Sequence, residues 1–460
     1  MPTGGHEDST PRNRPSTLEE ENHMMKIRRS RFAAVAVTAG ALSLALTACG
    51  GGTDPDPSAP PAESGEFEGQ TLNVVASWSG AEQENFEKVL AGFEAATGAR
   101  VNYTSFGDNG PTYIQSALEG GTPPNVAVIA QPALLNSLAA NGDLVPLSSE
   151  ARSAVEANYA QSWIDLGSVD GELYGVWFKA ANKSTVWYNA DIYDEAGAAP
   201  AEDWDDFLAQ LQIVQDSGYA GIAIGADIGW PLTDWFENVY LRTAGGEKYD
   251  QLTHHEIPWT DDSVREALEV LATLFGSDVV LPGGAQLEFG PSITAVFGAD
   301  PQAGTVYEGD FVAGVIAADG NSVVGENALF YDFPSIGGSA PAVVGGGDVA
   351  IQFTDDAATS ALLAYLASPA AAEIWVPLGG LTSPNQGVDT ALYPDDISRQ
   401  IAEALTAAET FRFDMSDLTP SAFGGTVGQG FWQEMINFFE NPSDIDGAMQ
   451  RLEAAAQAAY

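Results

Sequence analysis

Two tryptophans stand beside carboxylates at places where a loop leads into a predicted helix. Trp230 is followed by Asp234, and Trp78 by Glu82. A pyranose ring presents C–H bonds on its faces and hydroxyls on its rim, so a site for it combines flat rings for stacking with carboxylates or amides for hydrogen bonding. These residue types therefore predict recognition of a sugar-like ligand.

Trp230 stands directly before an amphipathic helix. The apolar residues that follow recur at helical spacing: Leu232, Trp235, Phe236, Val239 and Tyr240. Tryptophan does not cap a helix, and Pro231 suits the first helical position because its missing N–H would have no partner there. We therefore expect Trp230 to be displayed in a cleft, whereas Trp235 and Trp204, which lie on helical stripes, are expected in the core.

Two further carboxylates, Asp108 and Asp348, lie beside glycine at the expected ends of strands. Ligands of parallel sheets lie at the carboxyl ends of the strands, so both are candidate ligand-binding residues. A turn residue or a helix cap is the alternative interpretation for each. Glu82, Asp234 and these two carboxylates are the acidic side of the predicted site.

Motifs for catalysis and for metal or phosphate binding are missing. The sequence has no HExxH, no GxxxxGK[ST] and no GxSxG. The His254–His255 pair lacks an obvious third ligand, which favours an exposed loop over a metal site. We therefore expect no metal, no cofactor and no catalytic residue. A secreted glycoside hydrolase stays open as an alternative, since such enzymes use paired carboxylates, but no pair is singled out.

The elements that must position these residues alternate between strand and helix. The first six are predicted at residues 71–77, 83–96, 100–105, 112–119, 125–130 and 132–140. This alternation argues for βαβ units around a parallel sheet. A second α/β pattern follows, in which Asp203 and Asp262 are positioned to cap helices.

The length of 460 residues is too great for one core, so two lobes are expected. We predict that the first lobe comprises residues 70–180 and 341–388. The second lobe is predicted to comprise residues 181–340 and the C-terminal helices of 389–460. The chain would first cross between the lobes near residues 179–183.

The N-terminal region has the layout of an export signal. A basic run precedes an apolar run that is short for a membrane span and ends at Leu46-Thr47-Ala48-Cys49. This end resembles a bacterial lipobox and implies lipid attachment at Cys49. Residues 1–48 are then a signal peptide with a spurious extension, translation starting near Met24 or Met25, and residues 49–69 are a lipidated cysteine and a flexible linker.

The charge balance excludes one class of partner. The chain has 64 acidic and 17 basic residues, a formal charge of −47. No basic patch large enough to displace the counterions of nucleic acid could be assembled, so nucleic acid is not expected as a partner. Anionic ligands are disfavoured for the same reason, apart from a local basic pocket built on Lys179 and Lys183.

Several stretches resemble the extracellular solute-binding proteins of carbohydrate ABC transporters, the group that includes the maltose-binding type. The stretches that carry this resemblance are 123–147, 170–189, 203–211 and the lipobox. A narrower group resembles the alpha-glucoside-binding branch: GWPLTDWFENVYLR (229–242), YEGDFVAG (307–314), GGGDVAI (345–351) and GGLTSPN (379–385).

The resemblance implies a fold and a set of site residues. The fold is the two-lobed α/β fold of periplasmic binding proteins (type II), each lobe a sheet flanked by helices, with crossing hinge strands between them. The implied ligand-binding residues are Trp78, Asp108, Gln131, Trp230, Asp234, Asp310, Phe311, Gly347 and Asp348, to which Glu82 is added from its position after Trp78. Many relatives have Gly-x-Trp where this chain has Gly309-Asp310-Phe311, which lacks the indole N–H.

The resemblance also implies a function. The protein would be a monomeric lipoprotein on the outer face of the cytoplasmic membrane, where it captures an alpha-glucoside or related oligosaccharide by cleft closure and delivers it to the permease subunits of an ABC importer. A binding protein for a non-sugar solute is the alternative within the binding class.

Overall fold

The computed structural model describes residues 65–407 and 410–460. The predicted signal peptide, Cys49, the start near Met24 or Met25 and the linker up to residue 64 lie outside these residues. Two sheets, each covered by helices, form two lobes, so the predicted two-lobed α/β fold is confirmed.

The first lobe opens with the alternation that the sequence predicts. Its first part contains β1 (Thr71–Ala76), α1 (Gly80–Thr97), β2 (Arg100–Ser105), α2 (Gly110–Glu119), β3 (Val126–Ile129), α3 (Pro132–Asn141), α4 (Ser149–Asn158), α5 (Gln161–Leu166), β4 (Ser168–Val169), β5 (Glu172–Leu173) and β6 (Gly175–Asn182). Strand β1 pairs in parallel with β2 and β3, so the carboxyl ends of all three strands meet at one edge.

The chain crosses to the second lobe after β6, and this lobe begins at residue 185. It contains β7 (Thr185–Asn189), α6 (Ala190–Ala196), α7 (Trp204–Asp216), β8 (Ala220–Ala223), α8 (Trp230–Thr253), α9 (Asp262–Phe275), α10 (Phe289–Phe297), β9 (Ala303–Glu308), α11 (Val312–Asp319) and β10 (Ala328–Asp332). Its sheet has the order β10-β7-β9-β8. Trp204 and Trp235 are buried in its core, 6% and 1% exposed.

The chain then crosses back and forth once more. The return segment contains β11 (Val343–Gln352), α12 (Ala357–Leu366), α13 (Pro369–Trp375), α14 (Asp396–Ala407) and β12 (Phe411–Phe413). The C-terminal helices are α15 (Met415–Leu418), α16 (Ser421–Gly424), α17 (Gly430–Glu440) and α18 (Ile445–Ala459), and their apolar faces pack into the core of the second lobe.

The third crossing differs from the predicted boundary after residue 388. Strand β12 pairs in parallel with β11 in the sheet of the first lobe, so the chain leaves that sheet only after Phe413. A strand of three residues carries too little periodicity to be recognised in sequence. The three crossings therefore lie at residues 183–184, 333–342 and 414.

Two local features differ from the sequence interpretation. The carboxylate of Asp261, rather than that of Asp262, caps α9 by accepting from the Ser263 N–H at 2.9 Å. The glycine run 345–347 is part of β11 and lies against β6; a Cβ on Gly347 would stand 2.6 Å from the Lys179 carbonyl oxygen. The run thus permits close approach of two strands.

Within the described ranges, no single helix is both long and apolar enough to cross a bilayer. Segments Ala357–Leu366 and Pro369–Leu378 meet the length and composition test only as a pair, bent by 66°.

Candidate functional site

The cleft lies where the carboxyl ends of β1, β2 and β3 face the second lobe. It encloses a cavity of about 530 Å³. The first lobe contributes the loops after these strands, and the second lobe contributes the loop after β8, the start of α8 and the start of α10. Residues of both lobes line the cavity, so a ligand bound there contacts both lobes and affects their relative position.

The structure brings most of the predicted site residues together in this cleft. The residues from the predicted set that line it are Trp78, Glu82, Asp108, Gln131, Trp230, Phe311, Gly347 and Asp348. They come from segments separated by up to 270 positions in the chain. Their contact with a ligand stays a prediction.

Asp234 and Asp310 lie outside the cleft lining. Asp234 is fully buried in α8, where its carboxylate pairs with the Lys183 ammonium at 3.2 Å. Asp310 is 6% exposed, and its carboxylate accepts a hydrogen bond from the Thr382 hydroxyl of the other lobe. Both carboxylates are therefore engaged behind the cavity wall, which gives their predicted ligand contact no support.

Trp230 is half-buried and begins α8 at the cleft. Its ring centroid lies 5.2 Å from that of Phe289 and 6.2 Å from that of Phe311, so three aromatic rings form one wall. The preceding residue, Gly229, has a φ of 100°, and a Cβ there would stand 2.5 Å from the Trp432 carbonyl oxygen. Only glycine fits this turn, which fixes the direction in which Trp230 leaves the loop.

Trp78 serves the core of the first lobe as well as the cleft. It is 4% exposed, and its ring packs edge-on against Phe86 at 4.8 Å and Trp375 at 5.1 Å. Burial raises the pKa of the neighbouring Asp348 to about 6, against the lowering effect of the Lys179 charge. Trp78 therefore presents only a small part of its surface to the cavity.

Lys179 and Lys183 project from the first crossing strand into the floor of the cleft. The Lys179 ammonium pairs with Glu82 and lies 5.3 Å from the centroid of the Phe311 ring. The Lys183 ammonium pairs with Asp234 and Asp414 and lies 5.6 Å from the Trp230 ring. Both cations thus have carboxylate partners, which argues against a free basic pocket for an anion.

Carboxylates from opposite lobes face each other at the other end of the cleft. Burial raises the pKa of Asp108 above its ordinary value, and so does the negative charge of Asp227, while a hydrogen bond with Trp230 opposes the shift. Asp108 belongs to the loop after β2, whereas Asp227 and Trp230 follow β8. This end of the cleft can accept hydrogen bonds from both lobes.

The lining residues that the sequence analysis missed include Asp227, Glu288, Phe289, Asp417 and Trp432. Asp227 could have been found, because it follows β8 in the same loop as Trp230. Phe289 and Glu288 follow a Pro-Gly-Gly break that ends the preceding pattern, but nothing in that stretch indicates a return to the cleft. Asp417 lies in a four-residue helix that has no sequence signature.

Three buried carboxylates, Asp234, Glu237 and Asp414, lie close enough to be compared with a metal centre. Their ligand atoms lie within 4.8 Å of one another. The Lys183 ammonium bonds two of them, and the Glu237 carboxylate accepts from the Met415 and Ser416 backbone N–H groups at 2.8 and 3.0 Å. Protein donors therefore already occupy these oxygens, apart from Asp234 Oδ2.

The chain is similar to known proteins over most of its length. The family model described as bacterial extracellular solute-binding protein matches residues 77–373. The chain is 34% identical over 408 residues to the osmoprotective compounds-binding protein GgtB of Synechocystis sp., covering 86% of this chain and 92% of that protein. It is 33% identical over 402 residues to the alpha-glucosides-binding periplasmic protein AglE of Rhizobium meliloti, covering 83% and 86%.

A solved structure is similar in fold. The bacterial solute receptor AcbH superposes with a TM-score of 0.73 at 20% identity, and the match covers 85% of this chain and 99% of that one. At this identity the likeness concerns the fold, and it confirms the type II periplasmic-binding-protein architecture that the resemblance implies.

Proposed function

The chain belongs to the bacterial extracellular solute-binding proteins, and from this premise we propose that it captures an alpha-glucoside in its cleft and delivers it to the permease of an ABC importer. The observation that carries the proposal is the wall formed by Trp230, Phe289 and Phe311, which faces carboxylates of both lobes across one cavity. Aromatic rings match the C–H faces of a pyranose, and carboxylates match the hydroxyls of its rim.

Two relatives support the kind of ligand that we propose, and the volume of the cavity supports its size. One relative at about one third identity is named for alpha-glucosides, and another for osmoprotective compounds. A cavity of about 530 Å³ lies in the lower part of the range of small-molecule sites. We therefore propose a short alpha-glucoside, such as a disaccharide, as the ligand.

The mechanism would be closure of the lobes around the sugar. Ligand contacts with both lobes stabilise the closed arrangement relative to an open one, so binding shifts the population toward the closed form. We propose that the protein acts as a monomer and that lipid at Cys49 holds it at the outer face of the cytoplasmic membrane, within reach of the permease.

A thermal-shift screen with product analysis tests this function against its alternatives. A sugar that binds the native state raises the melting temperature. We expect stabilisation by alpha-linked disaccharides, with the sugar intact after long incubation. Released monosaccharide would favour a glycoside hydrolase, and stabilisation only by peptides or polyols would favour a non-sugar solute.

A further inference from the structure

Lys183 occupies the point where the cleft, the crossing strands and α8 meet. Its backbone N–H donates to the Val344 carbonyl of β11, just after the second crossing, at 2.9 Å. Its ammonium bonds Asp414, the residue of the third crossing, at 2.5 Å and Asp234 of α8 at 3.2 Å. Lys183 itself lies in the first crossing, its side chain bonds the third crossing and α8, and its backbone N–H bonds the start of β11.

Buried acidic groups surround the Lys183 ammonium. Five buried carboxyl groups interact electrostatically with its ammonium: Asp234, Glu237, Glu308, Asp414 and Asp417. All five are at most 5% exposed. Buried carboxylates need a compensating cation, a hydrogen bond or a proton. Lys183 is the lysine that supplies this charge in the part of the chain that the structure describes.

Hydrogen bonding satisfies this cluster only in part. Asp414 accepts from the Ser416 hydroxyl at 2.7 Å, and Glu237 accepts from the Tyr249 hydroxyl at 3.1 Å. One oxygen each of Asp234 and Glu308 is buried without a protein partner. Lys183 holds the pKa of Asp414 below its ordinary value despite burial, whereas burial raises the pKa of the other four groups. Loss of the ammonium would therefore leave the Asp414 carboxylate without its cation.

Lys183 also contacts the wall of the cleft. Its ammonium lies 5.6 Å from the centroid of the Trp230 ring, within cation–π distance. Asp234, which holds the ammonium, lies one helical turn after Trp230 on α8. The ring is thus fixed both through its helix and through a direct contact to the crossing strands.

We propose that Lys183 is a positioning residue of the ligand site: it holds the Trp230 ring against the cleft and couples that ring to the crossing strands through the carboxylates behind it. This rests on the proposed function for its ligand. It predicts that affinity depends on the charge balance of a cluster lying mostly behind the cavity wall.

Replacing the ammonium and then restoring the balance separates positioning from direct ligand contact. Lys183→Met removes the cation but keeps a long side chain. In Lys183→Met/Asp414→Asn, one negative charge is removed as well, and the asparagine oxygen can still cap α15. Lys248→Met is the matched control, because Lys248 lies on α8 with Trp230 and Asp234 but pairs with Asp261 at the surface, where the two atoms are 3.0 Å apart and the Lys248 side chain is 44% exposed.

Calorimetry with maltose and trehalose gives the first readout. We expect Lys183→Met to weaken binding at least about tenfold near pH 8, and the double variant to regain most of that loss. Lys248→Met should bind like the wild type. If Lys183 acts only by donating to the sugar, the double variant will bind no better than Lys183→Met, which would overturn the proposal.

The pH profile is a second readout that a direct hydrogen bond would not produce. Without the ammonium, Asp234, Glu237, Glu308, Asp414 and Asp417 can be neutralised only by protons. Lys183→Met should therefore regain affinity as the pH falls from about 8 to 5, relative to the wild type. Tyr249, Tyr307 and Asp348 also face these groups, Arg242 faces Tyr307, and all four are common to all variants.

Hydrogen exchange without sugar keeps this inference separate from the proposed function. If the wild type binds no glucoside, the function fails, but exchange of the amides of residues 227–240 still reports on Lys183. We expect faster exchange in Lys183→Met and near wild-type exchange in the double variant. Wild-type exchange and affinity in Lys183→Met would contradict the proposal. If that variant does not fold, a double variant that also exchanges quickly would contradict it.

Discussion

At the scale of single residues, two tryptophans five positions apart on α8 have different surroundings. Trp230 is half-buried and lines the cleft, whereas Trp235 is 1% exposed and packs 4.3 Å from Tyr307 in the core of the second lobe. We therefore expect substitution of Trp230 and substitution of Trp235 to have different effects.

Trp230→Ala should weaken alpha-glucoside binding at least tenfold, about 1.4 kcal/mol, while the protein still folds. The stacking face is lost, but little core packing is. Calorimetry and thermal melting measure the two effects. Unchanged affinity would show that the ring has only a structural role.

Trp235→Ala is the matched control on the same helix. Removing this buried ring should cost about 3–5 kcal/mol of unfolding free energy, because it opens a cavity among Phe207, Tyr307 and Phe333. Denaturant unfolding measures the loss. A change smaller than that of Trp230→Ala would contradict the assignment of the two rings.

Glu308 links stability to pH. Burial raises its pKa to about 8, against the opposing effect of the Lys183 charge. The folded protein then binds more protons at this residue than the unfolded chain does. Its contribution to stability is lost as the pH rises from about 4.5 to 8, by at most about 1.4 kcal/mol per pH unit.

Glu308→Gln removes this titration and keeps the shape of the side chain. Its melting temperature should fall less than that of the wild type between pH 5 and about 8. Parallel pH profiles for the two proteins would show that Glu308 is already ionised in the folded protein.

At the scale of elements, the lobes touch at a pair of glycines beside the crossing strands. Gly380 has a φ of 73°, and a Cβ there would stand 2.7 Å from the Cα of Gly314 in α11. The Gly314 atom that this Cβ would meet belongs to the backbone, so it cannot move aside unless α11 moves with it.

Gly380→Ala should therefore push α11 away from the loop that carries Thr382, which lowers sugar affinity and the melting temperature. Gly337→Ala is the control, because Gly337 also has a positive φ, 60°, but its Cβ would meet nothing within 4 Å. Equal affinity in the two variants would show that backbone strain, and not the contact between lobes, decides the effect.

The sequence predicted regular strands and helix caps better than the short elements near the crossings between the lobes. The strand at Thr71–Ala76 and the cap at Asp203 follow from local periodicity and capping chemistry. Strand β12 and helix α15 are too short for either signal, and they place Asp414 and Asp417 in or beside the cleft. The sequence also could not show that the Asp234 carboxylate pairs with Lys183 and does not face the cavity.

At the scale of the whole molecule, the acidity of the chain and the charge of the site are separate matters. The formal charge of −47 is that of the whole chain, whereas the cleft holds carboxylates together with two lysines, each of which is paired with a carboxylate. Both lobes contribute to the aromatic and acidic lining, so a sugar can be bound tightly only when the lobes are together. Small-angle scattering should show a smaller radius of gyration with sugar than without; an unchanged radius would contradict closure.

Calorimetric titration of the purified protein with alpha-linked and beta-linked disaccharides tests the central claim most directly. We predict saturable binding, with one site per chain, for at least one of maltose, trehalose and sucrose, and much weaker binding of cellobiose. The absence of binding to every alpha-linked sugar, in a protein that melts cooperatively, would contradict the proposed function.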